Sequence, residues 1–90
     1  MPTPTITVVH TRACHFCADA EEALTALGRQ IPIRVELIEA GSDAGAALVD
    51  THRPSMFPLV LLDGAFFSQG RLPGRKLRAV LGSRGAVSPR

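Results

Sequence analysis

Cys14-His15-Phe16-Cys17 contains both cysteines of this 90-residue chain. Two thiols at that spacing can close into a disulfide when the second lies one helical turn after the first. So small a loop constrains the unfolded chain little, and the pair suits reactivity better than stapling a fold. Between an apolar β-like run and a helical pattern, the spacing points to dithiol redox chemistry. Cys14 is the candidate nucleophile. At a helix start, unpaired backbone N–H groups and the helix dipole favour a thiolate, and Arg12 and His15 bring positive charge close by. Cys17, one turn further in and on an apolar stripe, is the candidate resolving thiol. It would attack the mixed disulfide and release the reduced substrate. His15 could also stabilise the thiolate and make the disulfide more oxidising, or it could simply fill an exposed loop position. Phe16 fits apolar cover or substrate contact.

These residues must be positioned by the elements around them. Thr5 to His10 (TITVVH) is rich in β-branched residues and reads as a first strand. Cys17, Ala20, Leu24 and Leu27 recur at helical spacing, and Gly28 is placed to end that helix. Asp19, Glu21 and Glu22 occupy its early turns. Ile31 to Ile38 alternates Ile33, Val35 and Leu37 with Arg34 and Glu36, a second strand with one polar-leaning face. Ser42 or Asp43 could cap a short second helix carrying Ala44, Ala47 and Leu48 and ending before Pro54. Pro58 to Leu62 reads as a third strand. Asp63-Gly64 is a type I′ hairpin signal into Ala65-Phe66-Phe67-Ser68. Pro73 can open a last helix with Leu77, Val80 and Leu81 inward. The order β-α-β-α-β-β-α describes one α/β domain over residues 1–90, with its core at about 5–82 and a flexible tail at 83–90.

The composition is 46% hydrophobic and 20% charged, which excludes a disordered chain. No apolar run approaches the ~18 residues of a membrane helix. The N-terminus lacks a signal-peptide pattern, so a cytoplasmic location is expected. Net charge is +2, but from Arg71 onward there are six basic residues and no acid. Arg75, Lys76 and Arg78 read as the solvated face of the last helix. With no Trp or Tyr among these charges, nucleic acid is not an expected partner.

Cys-x-x-Cys after strand one and a proline opening strand three, in this element order, resemble the thioredoxin fold. The compact outline resembles the glutaredoxin family and its bacterial glutaredoxin-like relatives over about residues 5–82. The resemblance implies a four-stranded mixed sheet with the first and last helices on one face and the second on the other. It implies a cis peptide at Phe57-Pro58, with the Phe57 backbone free to pair with an extended substrate. It also implies a monomeric dithiol–disulfide oxidoreductase acting on protein disulfides or glutathione-type mixed disulfides. No bound cofactor or metal is expected. Electrons would come from glutathione, a mycothiol-like thiol or a flavin reductase. Around the glutathione position the chain departs from the family: its Gly-Gly turn followed by an acid is here Gln69-Gly70-Arg71-Leu72, with one glycine and no acid, and Thr11 stands where its lysine precedes the cysteines, with Arg12 next. Met56-Phe57 stands where small or β-branched residues are usual. Arg12, Arg71 and Arg75 could meet substrate carboxylates through paired guanidinium hydrogen bonds.

Two other functions compete. Cys14, Cys17, His15 and His10 could ligate a metal or an iron–sulfur cluster, although there is no second Cys-x-x-Cys pair. A thioredoxin-fold adaptor could bind partners through the Phe57-Pro58 edge, but it would not need two thiols. Phe66 and Phe67, adjacent in a strand, must point to opposite faces. His10 is expected to be structural.

Overall fold

The computed structural model describes residues 3–83. Its elements are β1 (Thr5–His10), α1 (His15–Gly28), β2 (Arg34–Glu39), α2 (Asp43–His52), β3 (Leu59–Leu62), β4 (Ala65–Gln69) and α3 (Gly74–Ser83). Of the tail expected over 83–90, Ser83 belongs to α3, and residues 84–90 lie outside the described residues. The sheet order is β2-β1-β3-β4. β1 runs parallel to β2 across the α1 crossover and antiparallel to β3, and β3 runs antiparallel to β4.

The apolar residues of β1 and β3 are buried because both faces of the sheet are covered. On one face Ile6, Val8, Val60 and Phe67 pack with Leu24 and Leu27 of α1 and Leu77 and Leu81 of α3. On the other, Val9, Leu59 and Leu61 meet Leu48 and Val49 of α2. The two-sided burial explains why these strands read as continuous apolar runs rather than alternating ones.

Some local expectations change and others hold. β2 begins at Arg34 rather than Ile31. Ile31 instead tucks beneath the end of α1, its N–H donating to the Leu27 carbonyl at 2.9 Å. Val35 and Leu37 remain largely exposed, since β2 is an edge strand and α1 packs over β1. Gly28 is the last helical residue, and Arg29 caps α1. Ser42, not Asp43, caps α2 by accepting the Gly45 N–H at 3.0 Å. Ala44 and Ala47 of α2 are exposed; its inward face is Gly45, Leu48 and Val49. The cause is close approach, because a Cβ on Gly45 would run into the Glu39 carbonyl. Asp63 and Gly64 both adopt positive φ, +50° and +87°, as a type I′ turn requires. Asp63 also accepts the Thr5 N–H on its carboxylate at 2.8 Å. In β4 the pairing shifts between Val60 and Leu61. Phe66 is 52% exposed and Phe67 is buried, on opposite faces as expected. The bulge then buries Ser68 beside Phe67.

Candidate active site

The chain leaves β1 through Thr11 to Ala13 and turns sharply at Ala13, whose φ of +51° lies in the left-handed region. That turn delivers Cys14 in an extended conformation as the N-cap of α1, with its sulfur accepting the Cys17 N–H at 3.1 Å. An N-cap side chain must offer an acceptor to a first-turn donor, and here a sulfur fills the role. Cys14 and Cys17 form a disulfide with Cα atoms 5.1 Å apart. Cys14 is partly exposed, whereas Cys17 is 3% exposed beneath it.

A second segment, the stretch that enters β3, meets the pair beside the end of β1. The Phe57–Pro58 peptide is cis, as the resemblance implied, and the Phe57 carbonyl oxygen lies 3.8 Å from Cys14 Sγ. Pro58 is buried, and its carbonyl accepts the Gly70 N–H at 3.0 Å. Gly70 has φ of +73°, and a Cβ there would press on the Met56 side chain. Met56, 49% exposed, therefore lies over the turn before α3.

Of the residues singled out from sequence, Cys14, His15 and Cys17 line one open cavity of about 460 Å³, together with Glu21 and Thr11. Phe57, Pro58 and Gly70 form a hydrogen-bonded rim on the other side of Cys14. His15 is exposed at the first position of α1, and Phe16 is 38% exposed beside it. Arg12 faces a neighbouring cavity of about 480 Å³ with His10 and Glu39, at the carboxyl ends of β1 and β2. Arg71 is exposed and makes no hydrogen bond or ion pair among the described residues. The first turn of α1 holds no acid. Glu21, one turn beyond Cys17, is the one carboxylate in the cysteine cavity. With Asp19 and Glu22 it is one of the early acids that work against the thiolate if they come close. Among the described residues, no three His, Cys, Asp or Glu side chains converge as metal ligands.

No protein-family profile matches the sequence, and no curated protein matches it. Solved structures do. A thioredoxin-like protein from Clostridium perfringens is 16% identical with a TM-score of 0.73, the match covering 98% of this chain and 77% of that one. A thioredoxin from Halobacterium salinarum is 19% identical with a TM-score of 0.69, covering 97% and 77%. Thioredoxin f2 from Chlamydomonas reinhardtii is 16% identical with a TM-score of 0.67, covering 91% and 79%. At these identities the likeness is one of fold. The chain is a thioredoxin-fold protein.

Proposed function

We propose that the chain is a dithiol–disulfide oxidoreductase that reduces protein disulfides or glutathione-type mixed disulfides. The observation carrying this is the asymmetry of the Cys14–Cys17 pair. One sulfur is open to solvent and receives a helix-start N–H, and the other is buried one turn behind it. In the reduced protein the same N–H would meet the Cys14 thiolate, favouring the nucleophilic form.

The reaction is a two-electron exchange. The Cys14 thiolate attacks one sulfur of the substrate disulfide, forming a Cys14–substrate bond and expelling the other sulfur as thiolate. Cys17, deprotonated, then attacks the Cys14 sulfur. That step closes the Cys14–Cys17 disulfide and releases the second substrate thiolate. Two electrons have passed from the protein dithiol to the substrate. Two equivalents of a small thiol such as glutathione or mycothiol, or a flavin-dependent reductase, return them. No resident cofactor takes part in this scheme.

The Phe57 backbone, beside Cys14, suits pairing with an extended segment of a protein substrate. His15 and Phe16 flank the attacking sulfur. Gly70, Arg71 and Arg12 are the positions we assign to a small thiol's carboxylates, on opposite sides of the cysteine pair. A cytoplasmic setting, where small thiols keep cysteines reduced, matches this direction of electron flow.

The test separates the two sulfurs. Cys14→Ser should abolish disulfide reductase activity. Cys17→Ser should still attack and should trap a mixed disulfide on Cys14, seen by mass spectrometry as one added substrate thiol. A Cys14→Ser protein with full activity would refute the assignment.

A further inference from the structure

Among the described residues β2 is an edge strand, paired with β1 alone. The N–H groups of Arg34 and Ala40 donate to Pro4 and His10 on the β1 side. By the two-residue period of a strand, Arg34, Glu36 and Ile38 therefore turn their backbone groups toward β1, and Val35 and Leu37 turn theirs to the open edge. The side chains of Val35 and Leu37 are uncovered as well. They stand in register with Ile6 and Val8, which are fully buried, yet are themselves 37% and 51% exposed. On the opposite face of the strand, Arg34 and Glu36 are both exposed.

We propose that a second copy of this chain covers this edge, β2 pairing antiparallel with β2 about a twofold axis at Val35. Such an axis keeps equivalent sheet faces on the same side, so only registers centred on a residue are allowed. Centred on Val35, Arg34 stands directly opposite Glu36 of the second copy, and the reverse pair repeats it. Val35 then meets its own counterpart, and Leu37 meets Ile33, on the apolar face. Val35 and its counterpart exchange N–H and C=O bonds. Centred on Glu36, two glutamates would face each other. Centred on Leu37, Val35 would meet the Glu39 carboxylate.

Charge complementarity therefore selects the Val35 register. Charges along an edge commonly guard it against pairing, but here their alternation in sign matches a reversed copy of the same strand. The product is one continuous eight-stranded sheet, formed from two four-stranded ones. Both Cys14 sites lie at its opposite ends and remain open. In this proposal the dimer replaces the monomer expected from the sequence, and it stands independently of the redox chemistry.

Sedimentation of the intact protein over about two decades of concentration tests it, because a self-association is concentration-dependent. The mass should rise from 9.6 kDa toward twice that value. Arg34→Glu and Glu36→Arg, each placing like charges opposite, should each weaken association by about tenfold or more. The double exchange Arg34→Glu with Glu36→Arg should restore it to within about threefold, since the opposed pairs are then re-formed with signs reversed. Both positions are exposed, and circular dichroism of each variant confirms the fold. A mass of 9.6 kDa at every concentration would overturn the proposal. So would a dimer indifferent to Arg34→Glu, or one that the double exchange fails to rescue.

Discussion

At Cys14 one sulfur serves two ends, capping α1 through the Cys17 N–H and presenting the reactive position. A serine hydroxyl caps helices well. Cys14→Ser should therefore remove the chemistry while leaving stability within about 1 kcal/mol of the reduced wild-type protein, as measured by urea unfolding of both. A larger loss would mean that the sulfur holds the loop by more than its cap. Ala13 is the second residue that builds the site, since its left-handed φ of +51° aims the chain into the helix. That conformation costs a non-glycine residue roughly 1–2 kcal/mol, partly offset by the lower entropy of alanine when unfolded. Ala13→Gly should consequently stabilise the protein by up to about 1 kcal/mol. The cysteines were legible because their spacing alone dictates one helical turn. Glu21 was legible as one of three early acids that oppose a thiolate when close, and it alone of them lines the cysteine cavity; Ala13 was not, because alanine signals no turn.

Helices α2 and α3 carry glycines with opposite meanings. Glycine inside an exposed helix costs roughly 0.5–1 kcal/mol relative to alanine. Gly82 of α3 meets nothing that an added methyl would touch, so Gly82→Ala should stabilise by about that amount. Gly45 of α2 backs onto the Glu39 carbonyl, which is backbone and cannot swing aside. Gly45→Ala should reverse the sign and destabilise by about 1–3 kcal/mol through overpacking. Thermal melts of the two variants against wild type decide the matter, and a stabilising Gly45→Ala would show that α2 is loosely seated. This close approach is where periodicity misled. The spacing of Ala44, Ala47 and Leu48 reads as the inward face of α2, but the helix turns Gly45, Leu48 and Val49 inward because only glycine fits the contact. The element order, the helix ends and the Asp63-Gly64 turn were legible, since caps and turn residues act locally. The exposure of Val35 and Leu37 was not, because alternation assigns a face but cannot say whether a helix covers it.

The whole molecule is a mixed sheet between two unequal apolar layers, the larger built by α1 and α3. A chain of this length carries only about 5–13 kcal/mol of total stability. Leu24, 1% exposed in the larger layer, ties α1 and hence both cysteines to the sheet. Leu24→Ala should remove about 2–5 kcal/mol, read as a fall in the urea midpoint. The thioredoxin fold was foreseen from the cysteine pair, Pro58 and the element order together, because each constrains a different part of one topology. The glutaredoxin resemblance rests on the compact outline, and the likenesses to solved structures reach only the thioredoxin fold, because identities of 16–19% carry fold and not family. The central claim concerns the pair Cys14 and Cys17, and a glutathione redox series with thiol trapping and mass spectrometry reads it directly. The account predicts one reversible Cys14–Cys17 disulfide with a midpoint within about −280 to −120 mV, the span of dithiol oxidoreductases. Two thiols that neither pair nor react across that series would contradict it.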